Sequence, residues 1–378
     1  MIAPNETLSR EDVRQKVAQA IESQGWFKRA GYKCTGQKAI DALVEAAVTG
    51  ETLENVCQDL GLGLTSNGLR SYLNQQLTVD GLRAQEMTVN QSLSELLPEA
   101  LPRQKCAMAL DYHDEPFYGK TAETVSYACR GKAQVGTTHF YRVASLYVMW
   151  GPVHLTVAIS YVLPEDSTVQ VVQRLLERMT HLRLRPSVLY LDKGFCSTAV
   201  IGYLQQARVP ALLACPIRGK QGGIRALCRG RAAFVTPYTF TDQTTVQLVL
   251  LPTRPPDKSG HRRCKWIAYV RIGLDWSPAK CFRHYRRRFA IESSYRQFRQ
   301  LRAKTTSLNP ALRFFLMGLA FLLLNCWVAC RFFATRLVER GPLHLDEPLF
   351  RLPRFIAFLR RAIEARYPTT DAIPIWSP

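Results

Sequence analysis

The chain has 378 residues, and its 50 Lys and Arg against 30 Asp and Glu give a formal net charge of +20. A hydrophobic fraction of 47% excludes a disordered chain, and the length leaves room for two or three domains with an ample core. Such a charge predicts a polyanionic partner, of which nucleic acid is the commonest, and argues against a cytoplasm at very high salt, where protein surfaces are usually acidic.

The amino terminus and the cysteines indicate the compartment. The opening MIAPNETLSRED lacks a basic segment followed by an apolar one, so no secretory signal is predicted. The eleven cysteines are an odd number without the spacing of a disulfide framework, which is typical of reduced cytosolic thiols. We therefore expect a cytoplasmic protein.

Residues 1–100 predict an all-helical N-terminal domain. The segment ETLENVCQDLGLGLTSNGLRSYLNQQL is typical of a helix, a glycine-containing turn and a second helix that Ser66 or Asn67 caps. This pattern resembles a helix-turn-helix with Arg70, Tyr72 and Asn74 on a possible recognition helix. Many helical hairpins share it, and only the segments that follow favour a DNA-binding domain. The candidate helices lie near 8–23, 37–48, 52–60, 66–77 and 80–96.

From residue 104 the pattern changes to strands. KCAMALDYH predicts a strand with Asp111 at its end. HFYRVASLYVMW and GPVHLTVAISYVL predict two further strands, joined by a hairpin-like turn at Gly151 and Pro152. The order so far is that of three antiparallel strands.

A helix, a strand and another helix follow. Apolar residues at helical spacing predict a helix over 168–182. PSVLYLD predicts a short buried strand that ends in Asp192, a further helix begins at Ser197, and ARVPALLACPI predicts one more strand. Three antiparallel strands, a helix, a parallel strand and another helix are the order of a ribonuclease-H-like domain. The predicted fold class is therefore α/β, with a ribonuclease-H-like catalytic core.

Residues 217–275 interrupt this pattern. IRGKQGGIRALCRGR, which contains Lys220, is rich in glycine and basic residues, while FVTPYTFTDQTTVQLVLLP and KWIAYVRI are typical of strands. PTRPPDKSGHRR between them is typical of a polar, basic turn. We predict a β-rich insertion with DNA-facing loops, which leaves residues 104–216 and 276–336 as the catalytic core and 337–378 as a basic C-terminal tail.

Residues 314–330 form a 17-residue uncharged run between Arg313 and Arg331. The run is slightly short for a membrane span and contains Asn325, so we predict a buried core helix near 310–335, with a membrane segment as the alternative. The tail contains FRLPRFIAFLRRAIEARY, a basic, amphipathic and proline-broken helical pattern that fits contact with DNA or with a second subunit.

A basic stretch near the end of the core contains the most informative pattern, Tyr285-x2-Arg288-x3-Glu292-x6-Arg299. From residue 283 to residue 304 there are eight Arg and Lys and one acid, and the absence of Gly and Pro predicts a helix. Spacings of 3, 4 and 7 put the four residues on one helix face. An isolated charge run is usually a solvated face, but here two upstream aspartates complete the donor set of a metal site.

Those aspartates and the glutamate predict a metal-dependent reaction. Asp111 and Asp192 end neighbouring strands of the predicted sheet, so their carboxylates are expected to converge, and Glu292 arrives on a late helix. Three carboxylates can bridge two Mg²⁺ ions about 3.5–4 Å apart, of which one activates a water or a 3′-hydroxyl and the other stabilises the leaving oxygen. Carboxylate and phosphate oxygens suit Mg²⁺, and Mn²⁺ is the expected substitute.

One cysteine and histidine pattern has the ligands of zinc instead. His261-x2-Cys264 and Cys281-x2-His284 supply the residue types of a two-Cys, two-His zinc site. KWIAYVRI between the two pairs is typical of a strand, and CFRH opens the basic helix. We therefore interpret the spacing as a coincidence.

Together these residues resemble a DDE-type insertion-sequence transposase of the cut-and-paste class from bacteria or archaea. That class carries a Tyr-x2-Arg-x3-Glu-x6-Lys signature, which Tyr285, Arg288 and Glu292 match, while Arg299 keeps the charge of the usual Lys but grips phosphate with a different geometry. ALDYHDEPFYGK, GTTHFYRV and LDKGF resemble the regions around the family's two aspartates, and TSLNPALRFFLMGLAFLLLNCWV resembles the helix after its glutamate. The resemblance covers residues 105–335, and the 99 residues between the second aspartate and the glutamate leave room for the family's β-rich insertion.

The resemblance implies a role for each matching position. Asp111, Asp192 and Glu292 would bind the metal ions for cleavage at transposon ends and strand transfer into target DNA. The partners implied are double-stranded DNA and, because two ends must be paired, a second copy of the chain in a homodimer. The residues expected to contact DNA are Tyr285, Arg288, Arg299, Arg287, Arg296, Lys220 and Arg70.

Neighbouring residues have less specific interpretations. Lys193, His113 and Asp114 lie close in sequence to the aspartates and are interpreted as supporting or structural. Family members often pass through a DNA hairpin in which an aromatic side chain holds a flipped base. Trp266 or Trp276 has the chemistry for that role, although a buried core tryptophan is the default interpretation.

Two other classes of protein stay open. The first is a catalytically silent DNA-binding derivative, and the presence of all three carboxylates gives it no support. The second is a ribonuclease-H-like nuclease or resolvase acting on branched DNA. The β-rich insertion and the phosphate-gripping helix favour transposition over that second class, and a prokaryotic transposase would be associated with the nucleoid.

Overall fold

The computed structural model describes residues 7–26, 34–119, 122–254, 264–337, 343–370 and 372. The helices are α1 (Arg10–Glu22), α2 (Gly36–Thr49), α3 (Leu53–Asp59), α4 (Ser66–Gln76), α5 (Leu82–Glu95), α6 (Ala122–Val125), α7 (Thr168–His181), α8 (Thr198–Gln206), α9 (Gly223–Leu227), α10 (Pro278–Tyr285), α11 (Phe289–Phe298), α12 (Pro310–Thr335) and α13 (Leu352–Glu364). The strands are β1 (Lys105–Pro116), β2 (Cys129–Gln134), β3 (Thr137–Trp150), β4 (Val153–Val162), β5 (Arg185–Leu191), β6 (Ala211–Cys215), β7 (Phe234–Thr239), β8 (Thr245–Thr253), β9 (Lys265–Ile272), β10 (Arg336–Leu337) and β11 (His344–Leu345). Short 3₁₀ turns lie at Leu101–Arg103, Lys193–Phe195, Arg286–Arg288 and Arg299–Leu301.

Strands β1 to β9 form one mixed sheet. Its order is β2-β3-β1-β5-β6-β9-β8-β7, and β4 also pairs with β3. β1 is antiparallel to β3 and parallel to β5, which is in turn parallel to β6. The centre of the sheet is therefore β4-β3-β1-β5-β6, three antiparallel strands followed by two that run parallel to β1, and the predicted mixed α/β class is confirmed.

The segment predicted as a β-rich insertion extends the same sheet. β9 pairs antiparallel with β6, and β8 and β7 continue outward by antiparallel pairing. The strands predicted from FVTPYTFTDQTTVQLVLLP and KWIAYVRI are therefore present, whereas β2 and α9 are additions that the sequence did not predict. Most of the predicted turn PTRPPDKSGHRR lies outside the described residues.

The N-terminal helices α1 to α5 lie close to the predicted ranges. The cap of α4 is Thr65 rather than Ser66 or Asn67, because the extended backbone of Thr65 lets its side chain accept from the amide of Gly68 at 3.1 Å. α1 packs against α12 and α13, and α5 packs against β4. A single hydrophobic core joins these helices to the sheet, and the proposed domain boundaries stay a prediction.

The apolar helix α12 lies in the core. It is long and apolar enough to cross a membrane by length and composition, but 94% of its most apolar window is buried inside the protein. It packs against β4, α5 and α11. The prediction of a buried core helix near 310–335 is therefore confirmed.

Polar side chains from two helices cover the outer edge of β4. Asn325 of α12 accepts from the backbone nitrogen of Thr156 at 3.1 Å and donates to the carbonyl of Thr156 at 2.7 Å. Asn90 of α5 makes the same two bonds to Ile159, both at 2.8 Å. These bonds satisfy backbone groups that an edge strand otherwise leaves unpaired, which explains an asparagine inside an apolar helix.

The helix α13 is continuous, unlike the proline-broken pieces predicted for the tail. Pro353 lies in its first turn, where a missing backbone N–H costs no intrahelical bond. Phe355, Leu359 and Ile363 are fully buried, and the helix packs against α1 and α2. The expected contact of the tail with DNA or a second subunit stays a prediction.

Replacing Asn325 with alanine is expected to lower the free energy of unfolding by about 2–4 kcal/mol, because a buried amide and a buried carbonyl of Thr156 lose their partners. Urea denaturation of the full-length protein measures the loss. The matched control is Asn67→Ala on the exposed side of α4, for which a change within about 0.5 kcal/mol is expected. Equal small effects in the two variants would contradict the role assigned to Asn325.

Candidate active site

Two aspartates directly follow the last parallel pair of β1 and β5. Leu110 of β1 pairs with Leu191 of β5, and Asp111 and Asp192 are the next residues along each chain segment. The prediction that Asp111 ends its strand is wrong, because β1 stays paired with β3 as far as Pro116. The end of the parallel register, rather than the end of a strand, brings the two carboxylates to one part of the sheet.

Helix α11 brings Glu292 to the same place. Tyr295 lies three residues further on, so it shares a side of the helix with Glu292. Tyr295 is buried, and its hydroxyl lies 2.8 Å from the hydroxyl of Ser145, the residue of β3 that pairs with Asp111. This hydrogen bond fixes α11 against the part of the sheet that carries Asp111.

The basic stretch is not the single helix that the sequence predicts. α10 ends at Tyr285, a 3₁₀ turn covers Arg286–Arg288, and α11 begins at Phe289. Such turns are common where one helix passes into another, since they tighten the last turn. The four-residue spacing from Arg288 to Glu292 still places the two side chains together.

The guanidinium of Arg288 lies among the three predicted catalytic carboxylates. Its Nη1 is 2.9 Å from Oδ2 of Asp111, and its Nη2 is 2.8 Å from Oε1 of Glu292. The same Nη2 is 3.8 Å from Oδ1 of Asp192. The side chain of Arg288 is 8% exposed, whereas those of Asp192 and Glu292 are 43% and 41% exposed. One buried cation therefore joins all three acids.

The site has more negative than positive charge. The pKa of Asp111 is raised to about 6, chiefly by burial and to a smaller extent by the carboxylates of Asp192 and Glu292, although Arg288 opposes the rise. A single guanidinium supplies one positive charge against three carboxyl groups. The site therefore favours a second cation, and its two more exposed carboxylates can be reached from solvent.

Tyr285 lies inside the protein rather than on its surface. Its side chain is buried, and its hydroxyl donates to the backbone oxygen of Leu191 at 3.0 Å. The guanidinium of Arg288 lies 5.8 Å from the centroid of its ring. Tyr285 thus ties the end of α10 to the residue before Asp192 and supports the position of Arg288.

The residues predicted to contact DNA divide into two groups. Tyr285 and Arg288 are buried, whereas the others are exposed. Arg70 is one of the exposed residues, and it forms a salt bridge with Glu54 of α3 at 3.1 Å, so part of its charge is balanced within the protein. The exposed residues are Arg70, Lys220, Arg287, Arg296 and Arg299.

One face of β1 carries a row of polar residues. His113 and Glu115 follow Asp111 at alternate positions, which share one face of a strand. Glu115 is 3% exposed and accepts from Nη1 of Arg302 at 2.6 Å, while burial lowers the pKa of His113 to about 4, aided by Arg302. Neither Glu115 nor Arg302 was predicted from the sequence. The alternation of polar residues along β1 is the signal that would have indicated Glu115.

Residues on the opposite face of β1 contact neighbouring elements of the fold. Asp114 accepts two hydrogen bonds from Arg142 of β3, at 2.7 and 2.8 Å. The ring of Tyr112 stacks on that of Phe195 with 4.3 Å between centroids. Lys193 lies at the start of the same 3₁₀ turn as Phe195, and its side chain is exposed.

Two of the four candidate zinc ligands pack around a tryptophan. The thiol of Cys281 is buried and lies 3.8 Å from the carbonyl oxygen of Trp276, and the ring of His284 lies 4.7 Å from the ring of Trp276. Cys264 is exposed, and His261 lies outside the described residues. Trp276 itself is half-buried, as is Trp266, whose ring meets that of a neighbouring phenylalanine edge-on.

The donor set around Arg288 has the chemistry of a magnesium site. Asp111, Asp192 and Glu292 offer carboxylate oxygens from three separate elements, which are the ligands that Mg²⁺ prefers. Within the described ranges, no group of three or more His, Cys, Asp or Glu side chains already has the arrangement of a metal site. The guanidinium of Arg288 lies between the three acids. Asp111, Asp192 and Glu292 are the residues that would hold Mg²⁺ at this site.

Comparison with solved structures shows what the fold is similar to. No protein-family model and no curated protein matches the chain. Among solved structures, the chain is similar to piggyBac transposase in a synaptic complex with hairpin DNA, with a TM-score of 0.56 at 9% sequence identity, over 94% of this chain and 77% of that one. Argonaute from Kluyveromyces polysporus with a guide RNA matches at a TM-score of 0.24 and 8% identity, over 80% of this chain and 37% of that one. This TM-score is too low to show a shared fold. The first match shows that the chain has a fold similar to that of piggyBac transposase.

The raised pKa of Asp111 predicts that this carboxylate destabilises the metal-free protein. Its folded pKa of about 6 lies above its ordinary value of 3.8, so folding takes up a proton and stability falls as the pH rises between these values. Asp111→Asn is therefore expected to be more stable than wild type at pH 8 in EDTA, by about 1–3 kcal/mol. The difference should shrink towards pH 4.

Urea denaturation at the two pH values measures this difference. Asp80→Asn replaces an exposed aspartate in the turn before α5 and should change stability equally little at both. A stabilisation by Asp111→Asn that is the same at pH 4 and pH 8 would exclude the titration of Asp111 as its cause.

Proposed function

We propose that the chain is a DNA transposase of the DDE class. It cleaves DNA strands at transposon ends and transfers them into target DNA. The observation that carries the proposal is the convergence of Asp111, Asp192 and Glu292 on a single buried guanidinium. Three carboxylates drawn from two neighbouring parallel strands and a late helix are the donor set that phosphoryl transfer on DNA needs.

The sheet supports a ribonuclease-H-like core in this proposal. In the order β4-β3-β1-β5-β6, the first three strands are antiparallel and the last two are parallel to β1. The sequence predicts the same order, three antiparallel strands followed by a parallel strand, and that order is typical of a ribonuclease-H-like domain. The transposase-like fold of the whole chain points in the same direction.

The carboxylates would hold two Mg²⁺ ions, or Mn²⁺ in their place. Bound there, the ions would supply an activated water or 3′-hydroxyl and stabilise the leaving oxygen. Asp111 is the least exposed of the three acids and would fix the position of the site within the sheet. Arg288 would leave the carboxylates as their charge is taken up, and its planar guanidinium can then pair with a phosphate.

DNA contact in this proposal rests on the exposed cations around the site. Arg287, Arg296 and Arg299 lie along the segment that carries Glu292, and their side chains are exposed. Their charges can hold backbone phosphates without reading sequence. Lys220 and the helix of Arg70 would extend this contact, and pairing of two DNA ends would need a homodimer. A cytoplasmic, nucleoid-associated location follows from this activity.

Cleavage of a plasmid that carries the gene with its native flanks tests the proposal. Purified protein is expected to nick the flanks in Mg²⁺ and not in EDTA. Asp192→Asn should reduce the rate more than about 100-fold, since losing a metal ligand costs more than losing a group that only orients one. Asp80→Asn, an exposed aspartate outside the site, is the matched control and should keep the wild-type rate.

The other results identify the competing classes. Binding to the flanks with no metal-dependent cleavage would indicate a silent DNA-binding derivative. Cleavage of branched DNA regardless of the flanks would indicate a resolvase. Equal cleavage by wild type and Asp192→Asn would remove the assigned carboxylates from the reaction.

Arg288 and the metal should compete for the same three carboxylates. Arg288→Gln is expected to lower the melting temperature in EDTA, because the carboxylates lose their cation. The same variant should bind Mg²⁺ at least about tenfold more tightly than wild type, a difference of about 1.4 kcal/mol. Thermal denaturation over a Mg²⁺ titration measures both effects without DNA.

Arg287→Gln is the control for this titration, because Arg287 is the exposed neighbour of Arg288. Its Mg²⁺ affinity should stay close to that of wild type. Weaker Mg²⁺ binding in Arg288→Gln than in Arg287→Gln would mean that the guanidinium assists the metal instead of competing with it.

A further inference from the structure

A cleft of about 930 Å³ lies between α2, α3 and α13. Four carboxylates and one cation line the cleft, although the protein as a whole has a net charge of +20. The cleft is therefore a negative recess in a positive protein. The charged lining residues are Glu45, Glu51, Asp59, Glu364 and Arg360.

The cation in this lining forms ion pairs with two of the carboxylates. Nε of Arg360 donates to Oε1 of Glu364 at 2.8 Å and lies 3.9 Å from Oε1 of Glu45. One guanidinium supplies a single positive charge against four carboxyl groups. The lining therefore keeps a surplus of negative charge that a cationic ligand would reduce.

Glu45 points to a missing partner in the cleft. Its side chain is 6% exposed, and its Oε2 is buried with no hydrogen-bond partner among the described groups. The pKa of Glu45 is raised to about 7, chiefly by burial and next by the charge of Glu364. A buried carboxylate oxygen without a donor is costly, and the positive charge of an ammonium group beside Glu45 would offset part of that cost.

The cleft also has an aliphatic wall, formed in part by Val48, Val56, Leu60 and Ile356. Carboxylates set apart by aliphatic surface match a ligand whose ammonium groups are separated by methylene groups. We propose that this cleft binds a linear aliphatic polyamine, with one ammonium group on Glu45 and another among the carboxylates at the rim. The proposal does not depend on the transposase function.

Two other kinds of ligand fit this cleft less well. In the part of the chain that the structure describes, no group of three or more His, Cys, Asp or Glu side chains is arranged for a metal ion, and the cleft is far larger than such an ion. The surplus negative charge repels phosphate, which excludes DNA. An aliphatic polycation satisfies both the charge and the apolar wall.

Isothermal titration calorimetry with the full-length protein, purified without polyamines, tests the proposal. Spermidine and 1,8-diaminooctane are the probes, and 1,8-octanediol is a neutral control of equal length. Both amines are expected to bind saturably with one site per chain, and the diol is expected not to bind. Glu45→Gln and Glu364→Gln should each raise the Kd of the amines at least about tenfold, because each removes a negative charge that faces the ligand.

The matched control is Glu99→Gln, an exposed carboxylate that does not line the cleft, and its Kd should equal that of wild type. Glu364 is 32% exposed, so Glu364→Gln decides the question if Glu45→Gln does not fold. The proposal is overturned if wild type shows no saturable binding, if the diol binds as well as the diamine, or if all variants share one Kd. The last result would indicate attraction to scattered surface acids.

Discussion

The pairing of one buried guanidinium with three carboxylates is the constraint on which the candidate active site depends. Asp111, Asp192 and Glu292 come from three separate elements, and each brings negative charge to the same place. Without a cation among them, mutual repulsion would hold these elements apart. Arg288 supplies that cation from the turn before α11, and the planar fork of its guanidinium lets two nitrogens face different acids.

The same pairing couples two events in the proposed reaction. A cation that takes over the carboxylates leaves Arg288 without its partners, and a freed guanidinium beside exposed arginines is a natural partner for phosphate. Positive and negative charge therefore lie in different places in this protein. The exposed segment that carries Glu292 is strongly positive, whereas the recesses at the active site and between α2, α3 and α13 hold acids in excess.

The sequence predicts which residues come together at the site, but it does not predict which way the helix face that carries them points. The apolar runs before Asp111 and Asp192 mark two buried strands, and neighbouring parallel strands bring the residues that follow a shared register together. Helical spacing predicts that Arg288 and Glu292 share a face, but only tertiary packing decides whether that face meets solvent or other carboxylates. Tyr285 was therefore predicted at a DNA surface, whereas its hydroxyl binds the backbone inside the protein. The strand β2 escaped prediction because CRGKAQ is short and lacks alternation.

The polar cover on β4 has a consequence for how two copies of the chain can meet. Each outer strand of the described sheet has a feature that opposes the addition of another strand. Asn90 and Asn325 occupy the edge of β4, Pro237 removes a donor from β7, and β2 carries the exposed charges of Arg130 and Lys132. A synaptic pair of subunits would therefore assemble through side chains, helices or the DNA itself, and its sheets would stay separate.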